Sequence, residues 1–182
     1  MSRKTKRDWL IGGVQLLAEV GNQGLTIDAL CQHLGVTKGS FYHHFSGYED
    51  FKLNLLAFYE EEGTLDIIET LADLETPEEK LRGLIDIVVA VSTQYALYPE
   101  VLIRSWALQD EDVKAVQERV DGRRLAYVEA LFLEIDEDKQ NAKVSAQMMY
   151  AILVGAEQMQ PPLVGDDLRT LYDEYLKLIG LE

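Results

Sequence analysis

The sequence predicts an all-helical protein. Across its 182 residues apolar side chains recur at spacings of three and four, and alternation of period two never persists beyond a few positions. Helix start and stop signals separate these stretches: Thr or Asp before them, Gly or Pro after. No internal repeat or low-complexity tract interrupts the pattern.

The first helix runs from about Lys4 to Val20 with Leu10, Val14, Leu17 and Ala18 on one face, and Gly21-Asn22-Gln23-Gly24 stops it. Thr26 caps a short second helix ending near Leu34. Gly35 closes that helix, Val36 packs inward, and Thr37 caps a third that ends near Phe45. From Tyr48 a longer pattern continues through Phe51, Leu55, Phe58 and Tyr59 toward Ile68 and Leu71, enough to leave this three-helix head and join it to the body of the chain. Thr76-Pro77-Glu78-Glu79 is a helix start with a cap, a first-turn proline and an acidic first turn. The run Leu81 to Val91 after it is apolar on nearly every side, which places it at the centre of the body. Pro99 opens a short segment through Trp106. Asp110 starts a helix with Val113, Val116, Val120, Tyr127, Val128, Leu131 and Ile135 on one stripe. Two more helices complete the chain, about Glu137 to Met159, ended by Pro161-Pro162, and Asp166 to Ile179.

A content of 47% hydrophobic residues is enough to bury a core. The single cysteine, Cys31, excludes an internal disulfide and makes no zinc site, and it fits a reducing cytoplasm. The basic start runs into Trp9-Leu10-Ile11-Gly12-Gly13, too short and broken for a membrane span, so no membrane partner is expected. A net charge of −15 argues against nucleic acid as a partner, but its distribution reverses that reading. Residues 1–47 carry Arg3, Lys4, Lys6, Arg7 and Lys38 against Asp8, Glu19 and Asp28, a surplus of two positive charges, so the acidic excess lies wholly behind them. That acidic surface also serves solubility.

The stretch from Leu25 to Phe45 fits a helix-turn-helix. Cys31 is small where the two helices cross, Gly35 can take a left-handed turn, and Ile27, Leu30, Leu34 and Val36 form the internal wedge. At about 100° per residue, Phe41 and Phe45 point into the head while Gly39 and His43 face away, flanked by Ser40 and Tyr42. Gly39 leaves room for close approach to DNA, Tyr42 can meet a thymine methyl or a phosphate, and Lys38 and Ser40 sit at the helix start, where N–H groups favour anions.

This segment resembles the TetR-family signature, above all in Gly-Val-Thr-Lys-Gly-Ser-Phe-Tyr-His-His-Phe, residues 35–45. The resemblance is specific over about the first fifty residues and extends behind them only to helix number and order. It implies a nine-helix, Ω-shaped homodimer that binds double-stranded, palindromic operator DNA, with an unidentified small-molecule effector in a cavity of each carboxy-terminal domain. The expected division is therefore 1–47 for DNA binding and 48–182 for ligand binding and dimerisation, and the expected function is that of a repressor released by its effector. By the same resemblance Lys38, Gly39, Ser40, Tyr42, His43 and His44 match positions that touch bases or phosphates, and Thr26 matches a cap that meets a phosphate. Thr37 is counted with them. Tyr48 stands where the family often has a phosphate-binding lysine, which exchanges an ionic contact for a hydroxyl one. Leu34 is bulkier than the usual residue before the turn glycine, which calls for local repacking.

Other chemistries find little support. Cys31 and His33 lie about 200° apart on their helix and His43 and His44 diverge by about 100°, so neither pair can chelate a metal. The acidic runs 60–62, 110–112 and 136–138 fall at helix ends, where carboxylates serve as caps and solvated faces. With no phosphate loop and no nucleophile elbow, an enzyme and a cofactor are not expected. A helical adaptor of the same fold, acting through protein contacts, is the remaining alternative. Aromatic and Met residues of the body, Tyr95, Trp106, Tyr127, Met148 and Met149 among them, are candidates to line an effector cavity and otherwise serve as core. The segment Val144 to Met159 is apolar on almost all sides. Ala151, Ile152 and Gly155, with Leu168, Leu171, Tyr172 and Tyr175 on the last helix, are the expected dimer face, a four-helix bundle across a two-fold axis.

Overall fold

The computed structural model describes residues 4–94 and 99–181, and its regular elements there are all helices. They are α1 (Lys6–Gly24), α2 (Ile27–Leu34), α3 (Lys38–His44), α4 (Tyr48–Glu60), α5 (Asp66–Ala72), α6 (Pro77–Ser92), α7 (Pro99–Ala107), α8 (Glu111–Ile135), α9 (Lys139–Gln158) and α10 (Gly165–Leu178). A π-helical turn, Glu61–Leu65, joins α4 to α5 without a break, so among the described residues these ten labels cover nine helices, the number expected.

The chain forms two compact units, Met1–Glu61 with Leu97–Gln117, and Glu62–Ala96 with Glu118–Glu182. The expected break at 47/48 is not where the packing divides. Phe51, Leu55 and Leu56 of α4 are buried among the head residues, so α4 belongs to the first unit together with α7 and the start of α8.

In the first unit α1 opens with a capping box in which Thr5 and Asp8 satisfy each other's backbone N–H groups. Gly21, at φ 70°, breaks its helical path, as the glycine punctuation predicts. The buried face differs from the expected one. Trp9, Leu10, Leu16 and Leu17 are buried while Val14 and Ala18 are only half-buried, because α1 packs against α2, α4 and α7 together. Its Gly12-Gly13 pair makes this possible: a Cβ on Gly12 would lie 2.7 Å from Leu34 Cδ2, and one on Gly13 2.7 Å from Phe51 Cζ. Gly12 thus supplies the space that bulky Leu34 needs. Trp9, Phe41, Phe45 and Phe51 form the centre, with Trp9 edge-on to Phe41 at 5.4 Å and Phe45 edge-on to Phe51 at 5.2 Å. Such pairs add about 0.5–1.5 kcal/mol each beyond their buried area.

In the second unit the core joins Leu81 and Ile85 of α6, Val128, Leu131 and Phe132 of α8, Ala142, Ala146 and Met149 of α9, and Leu168, Tyr172, Tyr175 and Leu176 of α10. The stripe read on α8 is correct in phase. The central position expected for 81–91 is not observed: α6 buries one side, Leu84, Val88 and Val89 are half-buried, and Val91 is 38% exposed. At its start Thr76 supplies the expected cap, and Glu79 completes a capping box with it. Tyr175 donates its hydroxyl to Ser145 O at 2.6 Å, tying α10 to α9. Arg124 on α8 holds the π-helical turn by donating to Gly63 O and Thr64 Oγ1.

Candidate nucleic-acid interface

The helix-turn-helix forms as the sequence dictates. Gly35 adopts the left-handed conformation at φ 67°, and the Val36 N–H returns to Cys31 O at 2.9 Å, closing α2 and redirecting the chain into α3. Thr26 caps α2 by accepting from Ala29 N at 3.2 Å. Thr37 occupies the cap position of α3 but makes no side-chain cap hydrogen bond, so the capping expected of it is limited to its backbone, which accepts from Ser40 N.

The phase of α3 separates two faces. Phe41 is fully buried and Phe45 nearly so, while Lys38, Gly39 and His43 are exposed, Ser40 is half-buried and Tyr42 is 57% exposed. Thr26, Lys38, Tyr42 and Tyr48 line one concavity of about 500 Å³, with Asn22 and Asp28 at its wall. Four residues expected to touch DNA, from α2, α3 and α4, are therefore brought to one place. Tyr48 is half-buried there, and burial followed by the nearby Glu49 carboxylate pushes its phenol up. A hydroxyl kept protonated is a donor suited to a phosphate oxygen.

Two side chains behave differently from the sequence reading. Lys38 Nζ lies 2.6 Å from Asp28 Oδ1, and this hydrogen-bonded pair raises the lysine's pKa. Its charge is thus offset within the head, a feature legible only once α2 is seen to bring Asp28 alongside α3. His44 does not face the concavity of Tyr42 and Tyr48; its Nε2 contacts Lys4 O at 2.9 Å, across the start of α1.

Lys52 is a residue that no sequence pattern singles out. Its side chain is 6% exposed, and its ammonium contacts Glu49 at 2.8 Å, Asp110 at 3.0 Å and Asp112 at 3.1 Å. Burial opposes the charge, but the three carboxylates outweigh it and hold the lysine's pKa above its ordinary range. The pairing fixes α4, one turn beyond Tyr48, to the start of α8. A lysine on α4 and an acidic run some sixty residues later carry no mutual signal in sequence.

The described candidates for an effector cavity fall in both units. Tyr95 lies outside the described residues. Trp106 is buried in the first unit, whereas Tyr127, Met148 and Met149 belong to the second. Met149 is buried in that unit's core while its neighbour Met148 is 50% exposed and turned outward. Tyr127 is half-buried, and its hydroxyl is buried without a hydrogen-bond partner. Of the expected dimer face, Ala151, Gly155 and Leu171 are exposed and Ile152 is half-buried. Leu168, Tyr172 and Tyr175 are corrected: at 0%, 2% and 4% exposure they fill their own unit's core, because one stripe of α10 must pack on α6 and α9. Among the described residues no group of three or more His, Cys, Asp or Glu could hold a metal ion, and no helix is long and apolar enough to cross a membrane.

Residues 10–51 match the family model of bacterial regulatory proteins, tetR family. No curated protein matches the chain. Among solved structures it resembles reduced NemR of E. coli (TM-score 0.76, 18% identity, 94% of this chain and 95% of that one). It also resembles SCO4454, a TetR-family transcriptional regulator from Streptomyces coelicolor (TM-score 0.76, 14% identity, 97% and 87%). A transcriptional regulator from Aquifex aeolicus VF5 is similar over 97% of this chain and 99% of its own, with a TM-score of 0.73 and 18% identity. These identities speak to the fold; the family model speaks to the head that carries Gly39, Tyr42 and His43. Residues 10–51 thus match the head of the tetR-family regulators, and the chain as a whole shares the fold of these solved structures.

Proposed function

We propose that the protein is a homodimeric repressor that binds a palindromic operator and is released from it by a small-molecule effector. The observation that carries the DNA part is the shared concavity of Thr26, Lys38, Tyr42 and Tyr48 beside the exposed Gly39 and His43. In this reading α3 enters the major groove, Gly39, Ser40, Tyr42 and His43 meet base edges, and Thr26, Thr37, Lys38 and Tyr48 meet flanking phosphates. Dimerisation is supported by an exposed stripe on α9, Val144, Met148, Ala151 and Gly155, with Leu171 on α10. Two heads related by a two-fold axis read two inverted half-sites.

The effector would act on the second unit, within the 48–182 region expected to bind it. At Glu61/Glu62 and at Gln117/Glu118 the chain passes from one unit to the other inside helical segments, and in this reading binding in one unit biases the other through such passages. A hundredfold loss of operator affinity requires about 2.7 kcal/mol of differential effector binding, and the operator must weaken the effector by the same factor.

Selection from a random duplex library by the full-length protein tests the operator, with inverted half-sites expected among the enriched sequences. Enrichment of unpaired half-sites, or none, overturns the palindromic reading. A thermal-shift screen followed by calorimetry with and without the operator tests release, and equal affinities in the two titrations would leave the compound a bystander.

A further inference from the structure

The amino-terminal segment lies across the end of the recognition helix. His44, the last residue of α3, places Nε2 2.9 Å from Lys4 O. A carbonyl oxygen only accepts, so the imidazole donates. Thr5 and Asp8 then start α1 at Lys6, and Lys6 Nζ stands 5.5 Å from the centroid of the Phe45 ring, directly after α3. Two lysines are thereby fixed at the carboxy-terminal end of the recognition helix, one through its backbone and one through a ring.

Charge makes this end different from the other. At the amino-terminal end of α3 the Lys38 ammonium is paired with Asp28. The head has five Lys/Arg, and the other four, Arg3, Lys4, Lys6 and Arg7, all belong to the amino-terminal segment. Of these, Lys4 and Lys6 stand beside His44 and Phe45. Duplex DNA carries a charge about every 1.7 Å of its axis, so a helix seated in the major groove has backbone phosphates flanking it on both sides.

We propose that Lys4 and Lys6 form a second phosphate-contact site of the head, separate from the concavity of Thr26, Lys38, Tyr42 and Tyr48. His44 is its positioning residue: it holds Lys4 toward the DNA backbone and reads no base. This rests on the operator-binding proposal and adds to it a contact on the opposite end of α3.

The test is the salt dependence of full-length protein binding to the selected operator duplex, read by fluorescence anisotropy. Each lost phosphate contact lowers the slope of log affinity against log salt by about 0.9, so Lys4→Ala in a dimer lowers it by about 1.8. His44→Ala should reproduce this loss, and the double variant should lose no more than Lys4→Ala alone. His44→Gln, whose amide keeps a donor, should restore the slope. Preference among operators with single base-pair changes should be the same in all of them. An unchanged slope in Lys4→Ala,Lys6→Ala overturns the site, and a changed base preference in His44→Ala overturns the positioning role. Lys4 and Lys6 lie outside the buried core, so their variants report even if His44→Ala folds poorly. Wild-type protein that binds no duplex, with Tyr42→Ala indistinguishable from it, overturns the operator reading itself, which is a different result from wild-type binding with an unchanged slope in the lysine variants.

Discussion

Lys52 Nζ lies 3.0 Å from Asp110 Oδ2, and the ammonium that makes this contact is almost wholly inside the protein, its side chain 6% exposed. Asp110 also caps α8 by accepting from Asp112 N and Val113 N. Asparagine is an equally good cap through Oδ1, so Asp110→Asn keeps the cap and replaces the charged oxygen that accepts from Lys52 with an amide nitrogen that cannot accept. Lys52 retains Glu49 and Asp112, both mostly exposed, and the expected loss at neutral pH is about 1–3 kcal/mol. Burial raises the Asp110 pKa, but the Lys52 hydrogen bond and the cap outweigh it and hold the carboxyl below its ordinary value. A depressed carboxyl contributes stability that is full above the ordinary value of about 3.9 and is lost as pH falls through its lower folded value. Urea unfolding should therefore show a gap between wild type and Asp110→Asn at pH 7 that narrows below about pH 4. A gap that widens there would assign the difference to the cap and not to the ion pair. On the alkaline side Lys52, raised by its carboxylates, keeps its contribution up to its ordinary pKa of 10.5 and loses it only beyond.

Gly12 and Gly13 offer a paired test of packing. In a helix interior glycine costs up to about 1 kcal/mol relative to alanine, so either substitution gains something before sterics are counted. At Gly12 the new methyl would meet the tip of Leu34, a half-buried side chain that can turn aside. At Gly13 it would meet the Phe51 ring at 2.7 Å and Leu55 Cδ1 at 3.1 Å, both in the buried core. Overpacking of that kind costs about 1–3 kcal/mol. Gly13→Ala should lower the midpoint of thermal unfolding, and Gly12→Ala should leave it near wild type. The reverse order would mean that the aromatic centre yields more easily than Leu34.

The features legible in the sequence were periodic or local. The succession of helices, the Thr26 and Thr76 caps and the left-handed turn at Gly35 come from spacings of three to four residues, which a chain carries with it wherever it folds. The outward phase of Gly39, Tyr42 and His43 came from the same arithmetic. Contacts between distant segments were not legible. Nothing local marks Asp28 as the neighbour of Lys38, Lys4 as the partner of His44, or Asp110 as the partner of Lys52. The stripe on α10 shows the same limit: Leu168, Tyr172 and Tyr175 are apolar at helical spacing whether they face their own core or a second subunit, and only the position of α6 and α9 decides.

The exposed pair of Lys38 and Asp28 gives a prediction of opposite sign to most interface mutations. Asp28 places a carboxylate at the wall of the concavity proposed to receive phosphate and simultaneously occupies the nearby ammonium. Its substitution by Asn removes one repulsive charge and frees a cation, with little effect on unfolding because both side chains are mostly exposed. DNA affinity should rise, because the phosphate that Lys38 meets no longer faces a neighbouring carboxylate that competes for the ammonium. Tyr42→Ala serves as the opposite control, with about 1–3 kcal/mol lost per half-site if the ring meets a base. Anisotropy titrations at several salt concentrations check both, and weaker binding by Asp28→Asn would mean that the carboxylate is needed to aim Lys38.

Burial divides the residues of the expected dimer face and their neighbours into two groups with opposite expected behaviour. Val144, Met148, Ala151 and Gly155 recur at spacings of four, three and four on the exposed face of α9, with Val144 41% and Met148 50% exposed. That is the seam along which two helices pack, and the small residues at 151 and 155 allow close approach. Met148→Glu should therefore give a folded monomer: its carboxylate is solvated when subunits separate and would be buried when they join. Tyr172 is different. It is 2% exposed, burial pushes its phenol well above the ordinary range, and the nearby Glu157 carboxylate pushes the same way. A glutamate there would add a second buried negative charge, so Tyr172→Glu should unfold the second unit, not merely dissociate subunits. Sedimentation equilibrium paired with urea unfolding separates the two outcomes. Met148→Glu that sediments as a dimer would move the interface off this face of α9, and Tyr172→Glu that remains folded while becoming monomeric would return Tyr172 to the interface.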